Sequence, residues 1–246
     1  MARKVKIENH IKKRHDRAES KRLEETKSKR RFFLIVCEGE KTEPNYFKSL
    51  KEALPKGVLD VCEFTVEGEG YNTESLVKKS LELKSNWERE INRKIDKLWV
   101  VFDRDSFKPK AFNNAIQTCI NKSPKVEAAW TNEAFELWYL LHFHYYNTGI
   151  NRKEFQDLIE GNFKKKGLKN YEYKKNSTEM FALLETHGSR EDAIRNATNL
   201  EKHYAGQYNY ATQNPCTMVH KLVAELFGLE EIIQEENAKH KIQPKS

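Results

Sequence analysis

The chain has 246 residues, of which 38% are hydrophobic and 33% are charged, and it carries a net charge of +7. This length suits one large domain or two small ones, and the hydrophobic fraction is too high for a wholly disordered chain. No apolar run approaches the roughly 18 residues that span a bilayer. Because no apolar core follows the basic start, we expect neither a membrane span nor a secretory signal.

The four cysteines are far apart, at Cys37, Cys62, Cys119 and Cys216, and none forms a CxxC pair. This spacing argues against a zinc site and against a disulfide framework. Unpaired cysteines are typical of a reducing compartment. We therefore expect a cytoplasmic protein.

Residues 1–31 lack a regular apolar stripe and account for the net positive charge of the chain. They contain 13 Lys/Arg against 5 Asp/Glu, whereas the rest of the chain contains 31 Lys/Arg and 32 Asp/Glu. A concentrated positive charge favours a polyanion such as nucleic acid as a partner. The composition is equally typical of a solvated helix, a solubility tail or a segment that contacts a protein partner. We predict a basic N-terminal arm here.

Strand and helix patterns alternate over residues 32–131. Strands are predicted at 32–37, 58–66, 98–102 and 126–130, and the intervening helices at 42–54, from Thr73 onward and at about 108–121. Thr42 is the predicted N-cap of the first helix. This order predicts a Rossmann-like α/β core with a parallel sheet of about four strands flanked by helices.

After residue 131 the strand patterns stop. A very apolar helix is predicted at 135–143, and later helices at 151–160, 176–186, 190–205 and 217–233. A lysine-rich loop over residues 164–175 separates the second and third of these helices. We expect residues 132–233 to form a mainly helical C-terminal region that packs on the core, and residues 234–246 to form a tail.

Carboxylates follow two of the predicted strands. Glu38 comes directly after the first strand, and Asp103 and Asp105 come directly after the third. Ligands bind at the carboxyl edge of an open parallel sheet, and alternate residues of an extended segment point the same way. Each of these acidic segments alone is weak evidence for a site, because solvated acidic turns are common. Together they predict a site for Mg²⁺, which prefers oxygen ligands and phosphate partners.

Four segments carry a family resemblance. They are FLIVCEGEKTEPNYF at 33–47, VFDRD at 101–105, NEAFELWYLLHF at 132–143 and NPCTMVHKLV at 214–223. Together they resemble the RloB-like family, which includes the AbiLii-type abortive-infection proteins. The resemblance covers about residues 32–228. Glu133 departs from the pattern, which has a small residue or proline there.

The resemblance implies a Toprim-like catalytic domain, as in topoisomerases, primases and OLD-type nucleases. It carries over a glutamate that matches Glu38 and a metal-binding DxD that matches Asp103 and Asp105. It also implies a bacterial anti-phage role, often beside an ABC-like AAA ATPase partner.

Four carboxylates form the predicted catalytic set: Glu38, Asp103, Asp105 and Glu136. Asp103 and Asp105 are the leading ligands for Mg²⁺ or Mn²⁺, which would neutralise charge on the scissile phosphate and activate a water. Glu38 is either a third ligand or a general acid or base. Glu136 either completes a second metal site or makes a buried ion pair or helix-turn contact.

Six side chains are candidate nucleic-acid contacts: Lys41, Arg104, Lys165, Lys174, Lys175 and His220. Tyr171 and Tyr173 interleave with lysines, which suits a nucleic-acid surface or a plain solvated loop. Glu43 is expected to interact favourably with the dipole at the N-terminus of its helix. His142 is expected to be a core residue.

We therefore predict a Mg²⁺-dependent endonuclease that cleaves DNA or RNA as an abortive-infection effector. Two alternatives stay open. One is a nucleic-acid-binding or adaptor subunit of a defence complex with a degenerate Toprim site, and the other is a nucleotide-processing phosphotransferase.

Overall fold

The computed structural model describes residues 31–54, 62–68, 73–104, 108–123 and 125–228. The predicted arm up to residue 30, the predicted tail and Asp105 lie outside these ranges. None of the helices in the described part combines the length and the apolar character needed to cross a bilayer.

A five-stranded sheet forms the centre of the fold. Its strands are β1 Arg31–Cys37, β2 Cys62–Gly68, β3 Lys97–Asp103, β4 Glu127–Asn132 and β5 Cys216–Thr217, in the order β2-β1-β3-β4-β5. The first four strands are parallel, and β5 pairs antiparallel with β4. The predicted α/β fold is confirmed. The sequence did not reveal β5, because two residues are too few to show an alternating pattern.

Three helices connect the parallel strands: α1 Thr42–Ala53, α2 Thr73–Glu90 and α3 Pro109–Asn121. The C-terminal part contains α4 Glu136–Leu141, α5 Arg152–Lys165, α6 Met180–His187, α7 Arg190–His203, a 3-10 helix Tyr210–Thr212 and α8 at 219–228. A mainly helical C-terminal part is thus confirmed.

Two helix boundaries differ from the prediction. Helix α5 continues to Lys165 rather than ending at residue 160, because Phe163 extends its buried face and Glu160 pairs with Lys164 at 3.1 Å, one turn away. Helix α6 begins at Met180 rather than at residue 176. The residues before it are held in a non-helical conformation by α1.

Both faces of the sheet are covered, as parallel sheets require. On β1, Phe33, Ile35 and Cys37 join a core cluster with α1 and the C-terminal helices. Phe32, Leu34 and Val36 join a second cluster with α2 and α3. Because the five residues of α4 that follow Glu136 are all large hydrophobic residues and are buried, the helix anchors the C-terminal part to the sheet.

Residues 173–178, here called the strap, cross α1 far from it in sequence. Thr42 Oγ1 donates to the Lys175 carbonyl at 3.1 Å, Asn45 Nδ2 to the Asn176 carbonyl at 3.0 Å and Ser49 Oγ to the Thr178 carbonyl at 2.8 Å. These three donors lie on one face of α1. The prediction that Thr42 caps α1 was wrong: Lys41 is the N-cap residue, and the Thr42 hydroxyl holds the strap instead.

Candidate carboxylate site

The carboxyl ends of β1 and β3 lie side by side at one sheet edge. Cys37 pairs with Val101 in register, and the Glu38 N–H extends this pairing by donating to the Val101 carbonyl at 2.9 Å. The Asp103 N–H in turn donates to Glu38 Oε2 at 3.2 Å. Because the backbone of β3 holds the Glu38 side chain, the structure brings Glu38 and Asp103 together as the sequence predicted.

The Asp103 carboxylate is only partly satisfied. Its Oδ2 accepts from the Phe135 N–H at 2.9 Å, whereas its Oδ1 is buried and has no hydrogen-bond partner among the described residues. Burial raises the pKa of Asp103 well above its usual range, and the charges of Glu43, Glu136 and Glu38 raise it further. A buried carboxylate in this environment is stabilised by a proton or by a cation.

Glu43 belongs to this acidic cluster, which sequence reasoning missed. It lies in the first turn of α1, where a negative charge is favourable, but it is only 7% exposed. Among the neighbouring charges, that of Glu43 raises the pKa of Asp103 most. A Cβ atom on Gly39 would collide with the Glu43 carboxylate, so Gly39 is needed for this close approach.

Glu136 is the first residue of α4 and is 8% exposed. Its Oε1 accepts a hydrogen bond from the Tyr173 hydroxyl at 2.8 Å. Tyr173, the first residue of the strap, is half-buried rather than displayed on a solvated loop. Burial and the charge of Glu136 raise the pKa of the Tyr173 phenol far above its usual range, so Tyr173 stays a hydrogen-bond donor.

The donor set of this cluster consists of carboxylate oxygens, which suit a hard divalent cation. No group of three His, Cys, Asp or Glu side chains within the described ranges is arranged to hold a metal ion. The second aspartate of the predicted DxD, Asp105, lies outside those ranges. Among the described residues, Glu38 is hydrogen-bonded to Asp103, and the charges of Glu43 and Glu136 raise the pKa of Asp103.

Exposed lysines border the acidic cluster. Lys41 directly precedes the first turn of α1, and Lys174 and Lys175 belong to the strap that crosses that turn. Lys165 is exposed at the C-terminal end of α5. Arg104 continues β3, where its N–H donates to the Thr131 carbonyl at 2.8 Å, and its buried Nε has no partner in the described part of the chain.

The two histidines of the motifs are interior residues. His220 is 4% exposed, and its ring nitrogens face the Thr217 carbonyl at 3.0 Å and Glu201 Oε2 at 3.2 Å. Burial lowers the pKa of His220, while Glu201 opposes this shift. His142 faces the Trp138 carbonyl at 2.9 Å, and burial lowers its pKa to about 4. The prediction that His142 is a core residue is confirmed.

A comparison with protein families finds one match. The family model described as RloB-like protein matches residues 33–226, a range that contains Glu38, Asp103, Glu136 and Tyr173. No curated protein matches the chain significantly, and no solved structure does so.

Proposed function

The chain belongs to the RloB-like family, and from this premise we propose that it is a metal-dependent nuclease with a Toprim-like site that cleaves phosphodiester bonds in DNA or RNA. The observation that carries the proposal is the contact between Glu38 and Asp103 at the carboxyl edge of the sheet. Such an edge is the usual ligand-binding position in open α/β sheets.

The electrostatics of Asp103 support a cation at this position. Its buried Oδ1 has no donor among the described residues, and three neighbouring glutamates raise its pKa. Clustered buried carboxylates of this kind repel one another unless protons or cations are bound. Because a bound cation would relieve this repulsion, we expect the site to bind one.

Glu38, Asp103 and Asp105 would hold the proposed Mg²⁺, with Mn²⁺ as a substitute. When bound, the ion would supply charge neutralisation for the scissile phosphate and a lowered pKa for the attacking water. Asp105 would provide the ligand that the described residues lack. Glu136 would complete a second metal site, Glu43 would keep the site acidic, and Glu38 would combine ligation with proton transfer.

The surroundings of the site support a polyanionic substrate. Lys41, Lys174 and Lys175 are exposed beside the acidic cluster, where they would contact backbone phosphates. Arg104 and Lys165 would extend this contact, and residues 1–31, with 13 Lys/Arg against 5 Asp/Glu, would add long-range attraction. His220, which is buried and hydrogen-bonded, would hold α8 in place rather than touch a phosphate.

Family membership further supports a role in anti-phage defence. We infer an abortive-infection effector of the AbiLii type that acts beside an AAA or ABC-like ATPase. Such a partner would explain how the nuclease is kept inactive in uninfected cells.

The exposed lysines beside the cluster favour a second candidate as well. Lys41, Lys174 and Lys175 would equally serve a nucleic-acid-binding or adaptor subunit with a degenerate site. The two functions differ in metal dependence, because an adaptor would bind nucleic acid equally well with Mg²⁺ and with a chelator.

A cleavage panel tests the proposal. Plasmid DNA, single-stranded DNA and tRNA are incubated with the full chain and Mg²⁺, Mn²⁺ or a chelator, with and without any ATPase whose gene neighbours that of this chain. We expect cleavage of at least one substrate with metal and none with the chelator. Metal-independent binding without cleavage under every condition would instead support the adaptor function.

A further inference from the structure

Tyr173 and Asp103 contact the same turn of the chain. The Phe135 N–H binds Asp103 Oδ2 at 2.9 Å, and the side chain of the next residue, Glu136, accepts from the Tyr173 hydroxyl at 2.8 Å. The start of α4 is therefore held from two sides, by an aspartate of the sheet and by a tyrosine of the strap.

The strap itself is fixed at both ends. The Tyr173 N–H donates to Glu160 Oε1 at 2.9 Å, which ties the strap to α5. Thr42, Asn45 and Ser49 tie the following residues to α1. Four hydrogen bonds thus fix a short segment that has no regular structure of its own, and the segment delivers one side chain, Tyr173, to the acidic cluster.

We propose that Tyr173 is a positioning residue of the carboxylate site, whose hydroxyl fixes the rotamer of Glu136 beside Asp103, and that the strap is clamped to α1 to hold Tyr173 there. A free glutamate side chain samples several rotamers, and fixing one costs conformational entropy on every binding event. A donor that fixes it in advance removes that cost. Outer-sphere partners of metal-binding carboxylates typically contribute about tenfold or more to metal affinity.

This role rests on the proposed metal site, so the test measures metal binding directly. Mn²⁺ affinity of the full chain is determined by electron paramagnetic resonance for the wild type, Tyr173→Phe, Glu136→Gln and the double variant. Tyr171→Phe is the matched control, because Tyr171 lies in the same stretch of chain but packs its ring on Phe163 at 4.4 Å.

We expect Tyr173→Phe to weaken Mn²⁺ binding about tenfold and Tyr171→Phe to leave it unchanged. The double variant should bind Mn²⁺ as Glu136→Gln does, because Tyr173 acts on the ion only through the negative charge of Glu136, which that substitution removes. Excess Mn²⁺ should restore binding to Tyr173→Phe. The thermal midpoint of Tyr173→Phe should match that of Tyr171→Phe, whereas a purely structural role of Tyr173 would lower it.

Unchanged Mn²⁺ affinity in Tyr173→Phe, or losses that multiply in the double variant, would overturn the positioning role alone. Absence of Mn²⁺ binding by the wild type would overturn the proposed metal site and the role of Tyr173 with it. If Tyr173→Phe does not fold, Asn45→Ala loosens the strap while keeping Tyr173. Weaker Mn²⁺ binding by Asn45→Ala supports the proposal, and wild-type binding refutes it.

Discussion

The Asp103 N–H donates to the Glu38 carboxylate at 3.2 Å, between residues 65 positions apart in the chain. The bond crosses from the end of β3 to the residue that follows β1. Because the two strands are adjacent and parallel, any movement of one strand end is transmitted to both carboxylates. The bond therefore couples the positions of the two side chains. Substitutions at either position are expected to reduce the proposed cleavage alike.

Glu38→Gln and Asp103→Asn should each reduce cleavage about 100-fold or more, because both remove a negative charge that metal binding needs. Both keep the size of the side chain, so the thermal midpoint measured in a chelator should not fall. Initial cleavage rates at saturating Mg²⁺ measure the effect. The matched control is Glu82→Gln, at an exposed glutamate that pairs with Lys79 on α2. Wild-type rates in either site variant would show that its assigned role is wrong.

Asp103 should make the metal-free protein less stable as the pH rises. Its pKa is raised in the folded state by burial and by neighbouring glutamates. Its stabilising contribution is thus complete below the unfolded pKa of about 3.9 and is lost as the pH rises through the folded value. Asp103→Asn should therefore be more stable than the wild type at pH 7 in a chelator, with the difference disappearing towards pH 4.

Denaturant unfolding at several pH values measures this difference. In saturating Mg²⁺ at pH 7 the wild type should instead be more stable than Asp103→Asn, since only the wild type gains the binding energy of the ion. If the difference in stability between the two proteins did not change with pH, the titration of Asp103 could not be its cause.

Gly39→Ala should displace the Glu43 carboxylate, which a Cβ atom would overlap. Because the overlapping atoms are the far end of the Glu43 side chain, which can rotate away, we expect a loss of only about 0.5–1.5 kcal/mol in the free energy of unfolding, together with weaker Mn²⁺ binding. Gly161→Ala is the control, because that position lies inside α5 with nothing within 4 Å of the added methyl group. It should stabilise the protein by about 0.5–1 kcal/mol. Equal stability changes at both positions would refute the close approach.

Deleting residues 1–30 should weaken nucleic-acid binding without changing Mn²⁺ affinity, since this segment accounts for the net positive charge of the chain. For each phosphate that the shortened chain no longer neutralises, the slope of log affinity against log salt should flatten by roughly 0.7–0.9. Fluorescence anisotropy with a labelled oligonucleotide at several salt concentrations measures the slope. An unchanged slope would rule out a polyanion as the partner of the arm and leave a protein partner as an alternative.

The sequence was sufficient to predict the central part of the site. Glu38 and Asp103 each follow an apolar run within a few residues, so local patterns place both at the same sheet edge. Glu43 was assigned to its helix correctly, but the local pattern does not show that its side chain is buried beside Asp103. Tyr173 could not be placed at all, because its position depends on the strap. The bonds of the strap to α1 join residues 129 to 133 positions apart, and no local pattern encodes contacts over that separation.

Tyr171 and Tyr173, which alternate with Glu172 and Lys174, illustrate the same point. This alternation suggests a solvated surface, but only Glu172 and Lys174 are exposed, while Tyr171 packs on Phe163 and Tyr173 reaches Glu136. A period of two shows that the side chains point to opposite sides. It does not show which side is covered, because the covering helices come from elsewhere in the chain.

The late position of β5 in the chain has a consequence for biosynthesis. Thr131 of β4 and Thr217 of β5 share a hydrogen bond at 2.9 Å but lie 86 residues apart. At about 5–20 residues per second, the ribosome needs roughly 4–17 s to make the intervening segment. Throughout that interval the nascent sheet exposes an unpaired β4 edge, which is a template for aggregation. Ribosome-associated chaperones are therefore expected to bind this chain while its last third is being translated.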